Sequence, residues 1–281
     1  MKLKGKSNNA GFSLSLTGIF LALAGLSAHA GTMGPVAAAP GNIYAGVFGG
    51  GGASTKTDLS QYGTAFFPEA AGGPLAVDAF GRTNSRSMGM VGGQIGYQWT
   101  DIVTAFTSWT LTPAFEAEGY YLGKSNFTGH EVNNNTTRLP EHDFAVTYPT
   151  SAGVFLINAV LNFNSDSWLR PYIGAGIGGA VFSINNANAL QVSPLEVGVN
   201  HYNSNTSSKD SAFAGQIKVG SNFAVNPHVS IFAEYRWLYA APTSYTFGST
   251  SYPTHAATSA WRVDFGAQKY NMGSAGIRYT F

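Results

Sequence analysis

The end of the chain alternates strictly between apolar and polar positions. Every second residue counted back from Phe281 to Ala275 is apolar, whereas the residues between them are polar or small and include Arg278. A period of two is typical of a β-strand with one face in an apolar environment and the other in a polar one. The pattern therefore predicts a strand that ends on the final residue of the chain.

The same period recurs in seven earlier stretches. Apolar and polar or small residues alternate in the segments 42–52, 88–99, 113–123, 153–163, 168–182, 211–224 and 229–239. A run of glycines, Gly49–Gly52, leaves the two faces of the first of these strands undetermined. Together with the terminal strand, the pattern predicts eight strands.

The connections between these strands alternate in length. Long polar segments cover residues 53–86, 124–150, 183–210 and 240–264, and shorter turns lie near 100–111, 164–167 and 225–228. Membrane-spanning barrels of antiparallel strands have short turns on one rim and long loops on the other. The chain is therefore predicted to be all-β, an eight-stranded antiparallel transmembrane up-and-down β-barrel with four long outer loops and three short periplasmic turns.

Composition and the position of the aromatic residues agree with an apolar exterior. Hydrophobic residues make up 44% of the chain and charged residues only 10%, against about 25% charged in a typical soluble domain. The outward faces end in aromatic residues at both levels, as expected where a barrel meets the two membrane interfaces. These residues are Trp99, Phe163, Phe223 and Phe281 near the turns, and Tyr121 and Tyr239 near the loops.

The first thirty residues have the pattern of a secretory signal. A lysine-rich start precedes the apolar run Leu14–Leu26, and Ala28 and Ala30 form a cleavage pattern of small residues. We predict a signal peptide at 1–30 that is cleaved after Ala30, a short leader at 31–41 and an outer-membrane barrel at 42–281. Of the 15 basic residues in the chain, 12 lie beyond the signal, against 14 acidic residues, so the mature chain gives no support for nucleic-acid binding.

Charged residues collect on the polar faces of the predicted strands. Their side chains would enter the barrel interior, which eight strands leave just wide enough for side chains to fill. The seven residues are Glu116, Glu118, Arg170, Lys218, Glu234, Arg236 and Arg278. Because buried charges need partners, the sequence predicts an ion-pair network that closes the lumen, and a gated pore or proton path is the alternative.

Three motifs are weaker signals of chemistry. The glycines of Gly174–Gly179 fit a dinucleotide fingerprint but lie inside an alternating strand, where close strand approach and room for lumen side chains explain them better. Glu116 and Glu118 have the spacing of a carboxylate pair, but salt bridges are the favoured interpretation. The His-x-Ser triplet at His228 resembles that of outer-membrane lipid A deacylases, although here it lies in a periplasmic turn. No catalytic residue is assigned.

No cofactor or metal site is predicted. The chain contains no cysteine, which excludes disulfides and thiolate metal ligands. His130, His142, His201 and His255 all lie in the predicted outer loops without close ligand spacing, and we interpret them as solvated.

The stretches Arg170–Gly178, Ala233–Arg236 and Gly276–Phe281 carry a family resemblance. They resemble the small bacterial outer-membrane barrels, namely the OmpA-like transmembrane domain, OmpX and the opacity-type surface proteins. The resemblance implies an outer-membrane location, with Ile277, Tyr279 and Phe281 as the assembly signal read by the barrel-assembly machinery. The peptidoglycan-binding domain of full OmpA-type proteins is not expected.

By analogy with these families, we expect a surface protein whose long loops mediate adhesion or other contact with a host or the environment. A narrow porin-like channel is the alternative, and a lipid-modifying enzyme is a third class whose site residues we do not find. The expected partners are outer-membrane lipid and lipopolysaccharide, with Lys269 at the outer rim able to meet lipopolysaccharide phosphates. We expect a monomer, because a closed ring of strands has no edge to pair.

Overall fold

The computed structural model describes residues 41–100, 103–104, 109–134, 136–164, 167–253 and 255–281. This part of the chain is all-β apart from one turn of 3₁₀ helix at Glu69–Ala71. Its strands are β1 (Gly41–Ser54), β2 (Asp58–Ala65), β3 (Leu75–Thr83), β4 (Ser87–Trp99), β5 (Val103–Thr104), β6 (Thr110–Asn133), β7 (Asp143–Asn164), β8 (Leu169–Ile184), β9 (Asn188–Ser193), β10 (Ser208–Ala224), β11 (Val229–Ala240), β12 (Thr243–Phe247), β13 (Trp261–Phe265) and β14 (Gln268–Thr280). Among the described residues, no helix has the length and apolar character needed to cross a membrane.

The N-terminal predictions lie outside the described residues. These are the signal peptide with its cleavage residues Ala28 and Ala30, and the leader as far as residue 40. The first predicted strand, 42–52, corresponds to β1.

Eight of the strands pair in a closed ring. Going round the ring, β1 pairs with β4, followed by β6, β7, β8, β10, β11 and β14, and every pairing is antiparallel. The ring closes where β14 returns to β1, from Tyr44 opposite Thr280 to Ser54 opposite Tyr270. The backbone groups of these strands therefore bond to one another along the whole circuit.

The structure fixes the two faces of β1 that the glycine run had concealed. Tyr44 and Phe48 are buried inside the ring, whereas Ile43 and Val47 point outward and are exposed. A Cβ atom on Gly50 would lie 2.1 Å from the carbonyl oxygen of Gly273 in the adjacent strand. Glycine is therefore required at this close approach of β1 to β14.

The sequence pattern left the structure of the long polar segments open, and much of their length forms strands. The strands β6 and β7 have 24 and 22 residues, well beyond the 113–123 and 153–163 predicted for them. The strands β2, β3, β12 and β13 continue the sheet from the upper part of β6, and β9 extends it from β7. We call this region the outer head, comprising the described residues of 55–86, 124–151, 185–207 and 241–267.

The core of the outer head is continuous with that of the ring, and it contains polar as well as aromatic side chains. Tyr148 and Tyr202 stack on Phe247, with ring centroids 5.9 and 4.8 Å apart, and Phe265 meets Tyr148 edge to face at 5.1 Å. Gln61 is fully buried beside them. Because some inward positions here are polar, such as Gln61, Glu131 and Asn133, the period of two that marks the other strands is blurred.

Candidate functional site

Six charged side chains from four strands meet inside the ring, and none is more than 6% exposed. They are Glu116 and Glu118 on β6, Lys218 on β10, Glu234 and Arg236 on β11, and Arg278 on β14. We call this group the plug. It contains three carboxylates and three cations, so its formal charges balance.

Glu118 bridges two cations at the centre of the plug. Lys218 donates from Nζ to Glu118 Oε2 at 3.0 Å and also to Glu116. Arg236 donates from Nη1 to Glu118 and from Nε to Glu234 Oε1, the latter at 2.7 Å. These bonds connect strands on different sides of the ring, so the plug fastens the barrel wall across its interior.

Neutral side chains complete the hydrogen bonding of the carboxylates. Asn158 donates from Nδ2 to Glu116 Oε1 at 3.2 Å and to Glu118 Oε2 at 3.1 Å. The hydroxyls of Tyr44 and Tyr172 donate to the plug carboxylates Glu116 and Glu234, at 3.0 and 2.8 Å respectively. A buried charge is tolerated when its remaining lone pairs are satisfied in this way.

Gly176, one of the glycines in the stretch that fits a dinucleotide fingerprint, makes room for this network. A Cβ atom on Gly176 would lie 1.9 Å from Asn158 Oδ1, which accepts a 2.8 Å hydrogen bond from Gln216 Nε2. The absence of a side chain at Gly176 thus lets the asparagine reach the plug.

Arg278 joins the plug differently from the other cations. Its Nη2 lies 3.6 Å from Glu116 Oε2, and its guanidinium carbon lies 4.3 Å from the centroid of the Tyr44 ring. Neither Nε nor Nη2 has a hydrogen-bond partner among the described residues. The arginine is thus held by cation–π contact and by charge rather than by directed hydrogen bonds.

The assignment of Arg170 to the network needs correction. Arg170 is exposed and has no ion pair with a described residue. It stands one residue into β8, beside the short turn. Strand parity places it on the inward face, but its position at the end of the strand leaves it in water.

Aromatic rings pack against the charges. The ring of Phe48 lies 4.1 Å from the guanidinium carbon of Arg236, and Tyr120 lies 5.4 Å away. At the junction with the outer head, a cavity of about 10 Å³ is lined by Leu122 and Tyr270 among others, which is room for about one water molecule. The geometry of the plug is therefore that of a packed interior.

The other candidate residues for chemistry have structural contacts. Glu116 and Glu118 are held in the ion pairs described above. His228 Nδ1 lies 2.9 Å from the backbone oxygen of Thr280, and its ring stacks on Tyr279 at 5.8 Å. The histidine of the His-x-Ser triplet thus caps the end of β14.

Sequence reasoning missed a buried carboxyl group in the outer head. Glu131 is fully buried, and its Oε2 lies 3.4 Å from the hydroxyl of Tyr148. That hydroxyl lies 2.8 Å from the hydroxyl of Tyr202, which in turn donates to Gln61 Oε1. Burial raises the pKa of Glu131 from 4.5 to about 8, and the Tyr148 hydrogen bond opposes the shift. The folded head therefore holds this carboxyl protonated at neutral pH.

With the Gln61 amide oriented so that its Oε1 accepts from Tyr202, the hydrogen-bond pattern agrees with a protonated Glu131. Each tyrosine hydroxyl has one hydrogen to donate. If Tyr202 donates to Gln61 and Tyr148 donates to an ionised Glu131, the 2.8 Å contact between the two hydroxyls has no hydrogen. With a proton on Glu131, each of the three contacts has one donor. No hydrophobic pattern in the sequence indicated that Tyr148, Tyr202 and Gln61 would be buried together.

The interpretation of all four loop histidines as solvated also needs correction. His130 is exposed beside Asp143, with Nδ1 2.9 Å from Oδ1. His201 is only 3% exposed, and burial lowers its pKa. Its ring lies against Phe144 and His255, at centroid distances of 5.0 and 5.3 Å.

Comparison with known proteins identifies the class to which this fold belongs. The family model of the outer membrane protein β-barrel domain matches residues 18–259, most of the chain. The chain belongs to that family, and it is an outer-membrane protein, as the sequence resemblance predicted. No curated protein sequence matches it.

Solved outer-membrane barrels resemble the chain only at the level of the fold. Neisserial surface protein A (NspA) has a TM-score of 0.32 at 15% identity, covering 85% of this chain and 97% of that one. The outer-membrane protease OmpT of Escherichia coli has a TM-score of 0.39 at 11% identity, covering 86% and 97%. The outer-membrane protein OprG of Pseudomonas aeruginosa has a TM-score of 0.36 at 12% identity, covering 84% and 95%. These similarities carry no inference about function.

Proposed function

We propose that this protein is an eight-stranded transmembrane barrel with a closed lumen, and that its ordered outer head mediates adhesion or another contact with macromolecules outside the cell. The short turns would face the periplasm, and the head would face outward. The outward face of the ring supports the spanning role, because large apolar side chains are exposed on every strand. Examples are Val47 at 66%, Ile177 at 65% and Ile157 at 59% exposure.

The observation that carries the proposal is the plug. Removing one partner of a buried ion pair costs about 3 to 5 kcal/mol, because the other charge is left uncompensated in a low-dielectric interior. A current of ions through this cross-section would have to displace several such pairs at once. A surface role for the head therefore accounts for the geometry better than solute transport does.

The outer head supports a binding role because it is ordered and presents apolar side chains. Leu195 and Val197, in the segment between β9 and β10, are 73% and 83% exposed. Exposed apolar groups on a rigid support are typical of contact surfaces. The aromatic core around Tyr148 holds the segment's supporting strands in place.

Binding of intact cells tests the surface role. Cells producing the wild type, cells without the protein and cells producing the double variant Leu195→Ser, Val197→Ser are compared for attachment to host cells and to abiotic surfaces. We expect attachment to fall when the protein is absent and to fall in part in the double variant. Equal attachment by all three strains would refute the surface role.

A narrow channel is the second candidate, and one observation favours it. Gln94, Asn222 and Arg278 have buried polar atoms without hydrogen-bond partners among the described residues. Such atoms are usually satisfied by ordered water, and a hydrated lower lumen is the first requirement of a pore. Conductance in planar bilayers separates the candidates, since steady and reproducible openings of the purified wild type would overturn the closed-lumen proposal.

We also propose that the barrel is not an enzyme. In support, the plug glutamates are ion-paired and His228 caps a strand end, which leaves neither group poised for proton transfer. Incubation of the purified protein with lipopolysaccharide, followed by mass spectrometry of lipid A, tests this directly. Loss of an acyl chain would contradict the proposal.

The proposed partners and the monomeric state are inferred from the residues at the two rims of the barrel and from the closed ring of strands. Lys269 is exposed at the outer end of β14, opposite the girdle residue Tyr239, where it could meet lipopolysaccharide phosphates. At the other rim, the exposed side chain of Phe281 is available to the assembly machinery. A monomer is proposed because the ring leaves no ring strand unpaired.

A further inference from the structure

Three potential metal ligands from two segments of the outer head converge on one point. Glu196 and His201 lie between β9 and β10, and His255 lies between β12 and β13. The Nε2 atoms of both histidines lie 3.7 Å from the same oxygen, Oε2 of Glu196. The three ligand atoms all lie within 4.8 Å of one another.

Both imidazole rings are oriented with a lone pair toward this point. His201 Nδ1 lies 3.0 Å from the carbonyl oxygen of Ala189, and His255 Nδ1 lies 2.6 Å from that of Ala256. A carbonyl oxygen can only accept, so each Nδ1 carries the hydrogen and each Nε2 presents its lone pair. A carbonyl bonded to the far ring nitrogen is the usual second-shell support of a metal-ligating histidine.

The spacing of the three atoms matches an ion rather than a hydrogen-bond network. A separation of 3.7 Å is too long for a hydrogen bond between Nε2 and a carboxylate oxygen. Two ligands on one tetrahedral zinc ion, each bonded at about 2.0 to 2.1 Å, lie roughly 3.3 Å apart. The two glutamate–histidine separations would therefore need to shorten by a few tenths of an ångström. The histidine–histidine separation, which is within 4.8 Å, would need to shorten by up to about 1.5 Å to reach coordination distance.

The scaffold around the three residues is held by contacts that do not involve a metal. Thr250 Oγ1 donates to the carbonyl oxygen of His201 at 2.9 Å, and it accepts a 3.1 Å hydrogen bond from the indole of Trp261. Asn203 and Ser251 exchange two hydrogen bonds of 2.8 Å between the same two segments. The ligands are therefore preorganised, which lowers the entropic cost of binding an ion.

We propose that Glu196, His201 and His255 form a binding site for a divalent transition-metal ion of the zinc class. Two imidazoles and a carboxylate are a ligand set that zinc uses, whereas calcium and magnesium prefer oxygen ligands alone. Three protein ligands leave the fourth position of a tetrahedral ion open to water or an external ligand. The ion would also tie the β9–β10 segment to the β12–β13 segment. This site goes beyond the proposed surface function and does not depend on it.

Calorimetric titration of Zn²⁺ into the folded, full-length mature protein in detergent micelles tests the site, with no polyhistidine tag on the chain. We expect one ion per chain, and we expect Co²⁺ to give the intense visible absorption of tetrahedral coordination. Glu196→Gln and His255→Gln each weaken binding by at least about tenfold, since second-shell losses alone cost 10- to 100-fold. Both side chains are partly exposed, which favours folding of the variants.

The matched control is His130→Gln, which removes a histidine of the same outer head that pairs with Asp143 on the surface. Its Zn²⁺ affinity should equal that of the wild type. Heat-modifiable gel mobility verifies that each variant is folded, and either ligand variant alone decides the question. A wild type that binds no Zn²⁺, a folded ligand variant that binds like the wild type, or loss of binding in the control would each overturn the site.

Discussion

Lys218 and Arg236 occupy directly opposite positions on β10 and β11, and both side chains point into the ring. Like charges at paired positions of neighbouring strands repel each other. Glu118 lies between them and accepts a hydrogen bond from each. The paired cations are therefore neutralised by a shared carboxylate from the far side of the ring, together with Glu116 at Lys218 and Glu234 at Arg236.

Replacing this carboxylate tests the plug. Glu118→Gln leaves Lys218 and Arg236 facing each other without the shared acceptor charge. We expect the free energy of unfolding to fall by about 3 to 5 kcal/mol, measured by urea titration in detergent micelles with gel mobility as the readout. The control Arg170→Gln changes an exposed residue and should stay within about 0.5 kcal/mol of the wild type. Equal effects of the two changes would contradict the plug.

Stability should depend on pH through Glu131. A carboxyl group whose pKa is raised from 4.5 to about 8 on folding stabilises the folded state fully below pH 4.5. That contribution is lost as the pH rises toward 8, because the unfolded chain ionises while the folded head holds the proton. Each pKa unit corresponds to about 1.4 kcal/mol, so the decline is on the order of a few kcal/mol.

The variant Glu131→Gln removes the contribution of Glu131 ionisation to the pH dependence of stability, because glutamine can donate a hydrogen bond to Tyr148 but does not titrate. We expect the gap between the unfolding free energies at pH 4.5 and pH 8.5 to shrink in this variant. The matched control is Glu141→Gln, which changes an exposed residue in the turn between β6 and β7. An unchanged pH profile for Glu131→Gln would show that Glu131 is ionised in the folded protein.

Gly176 should tolerate no side chain. In Gly176→Ala, the new Cβ would collide with Asn158 Oδ1 and displace the asparagine from the plug. Overpacking of this kind costs typically about 1 to 3 kcal/mol, measured as a lower urea midpoint. The control Gly179→Ala lies on the same strand, where the nearest atom would be 3.6 Å from the added Cβ. It should unfold like the wild type.

The terminal aromatic residue should matter for assembly more than for stability. Phe281 is 69% exposed, so Phe281→Ala removes little packing within the ring. We expect the amount of barrel in the outer membrane of cells to fall, while refolding of the purified chain in micelles is unchanged. Trp168→Ala removes an aromatic residue of similar exposure at the same rim and should assemble normally. Equal cellular levels of the two variants would argue against a terminal signal.

The ring strands could be predicted because one physical rule governs their whole length. Outward residues such as Ile157 are apolar, so alternation identifies the inward residues by parity alone, including Lys218 and Glu234. Alternation shows which face of a strand a residue lies on, but it does not show how far from the end of the strand the residue lies. The sequence therefore placed Arg170 among the inward residues without revealing that the strand end leaves it in water.

The outer head could not be predicted in the same way. Its inward positions include Gln61 and Glu131, which the period of hydrophobic residues excludes. His201 and His255 come together because two segments that are distant in the chain pack against each other. The spacing of residues in the sequence does not predict such a contact. Sequence patterns identify a residue's face where the environment is uniform, and they fail where a polar core is built from tertiary contacts.

The length of β6 has a consequence for what can reach this protein on an intact cell. From Gly123 to Asn133 the strand continues beyond the outward girdle residue Tyr121, which at about 3.3 Å per residue is roughly 35 Å of strand. With the head facing outward, as proposed, that reach would carry the far end of the hairpin away from the membrane surface. Antibodies and bacteriophages would then meet the turn between β6 and β7 before the lipid-facing strands.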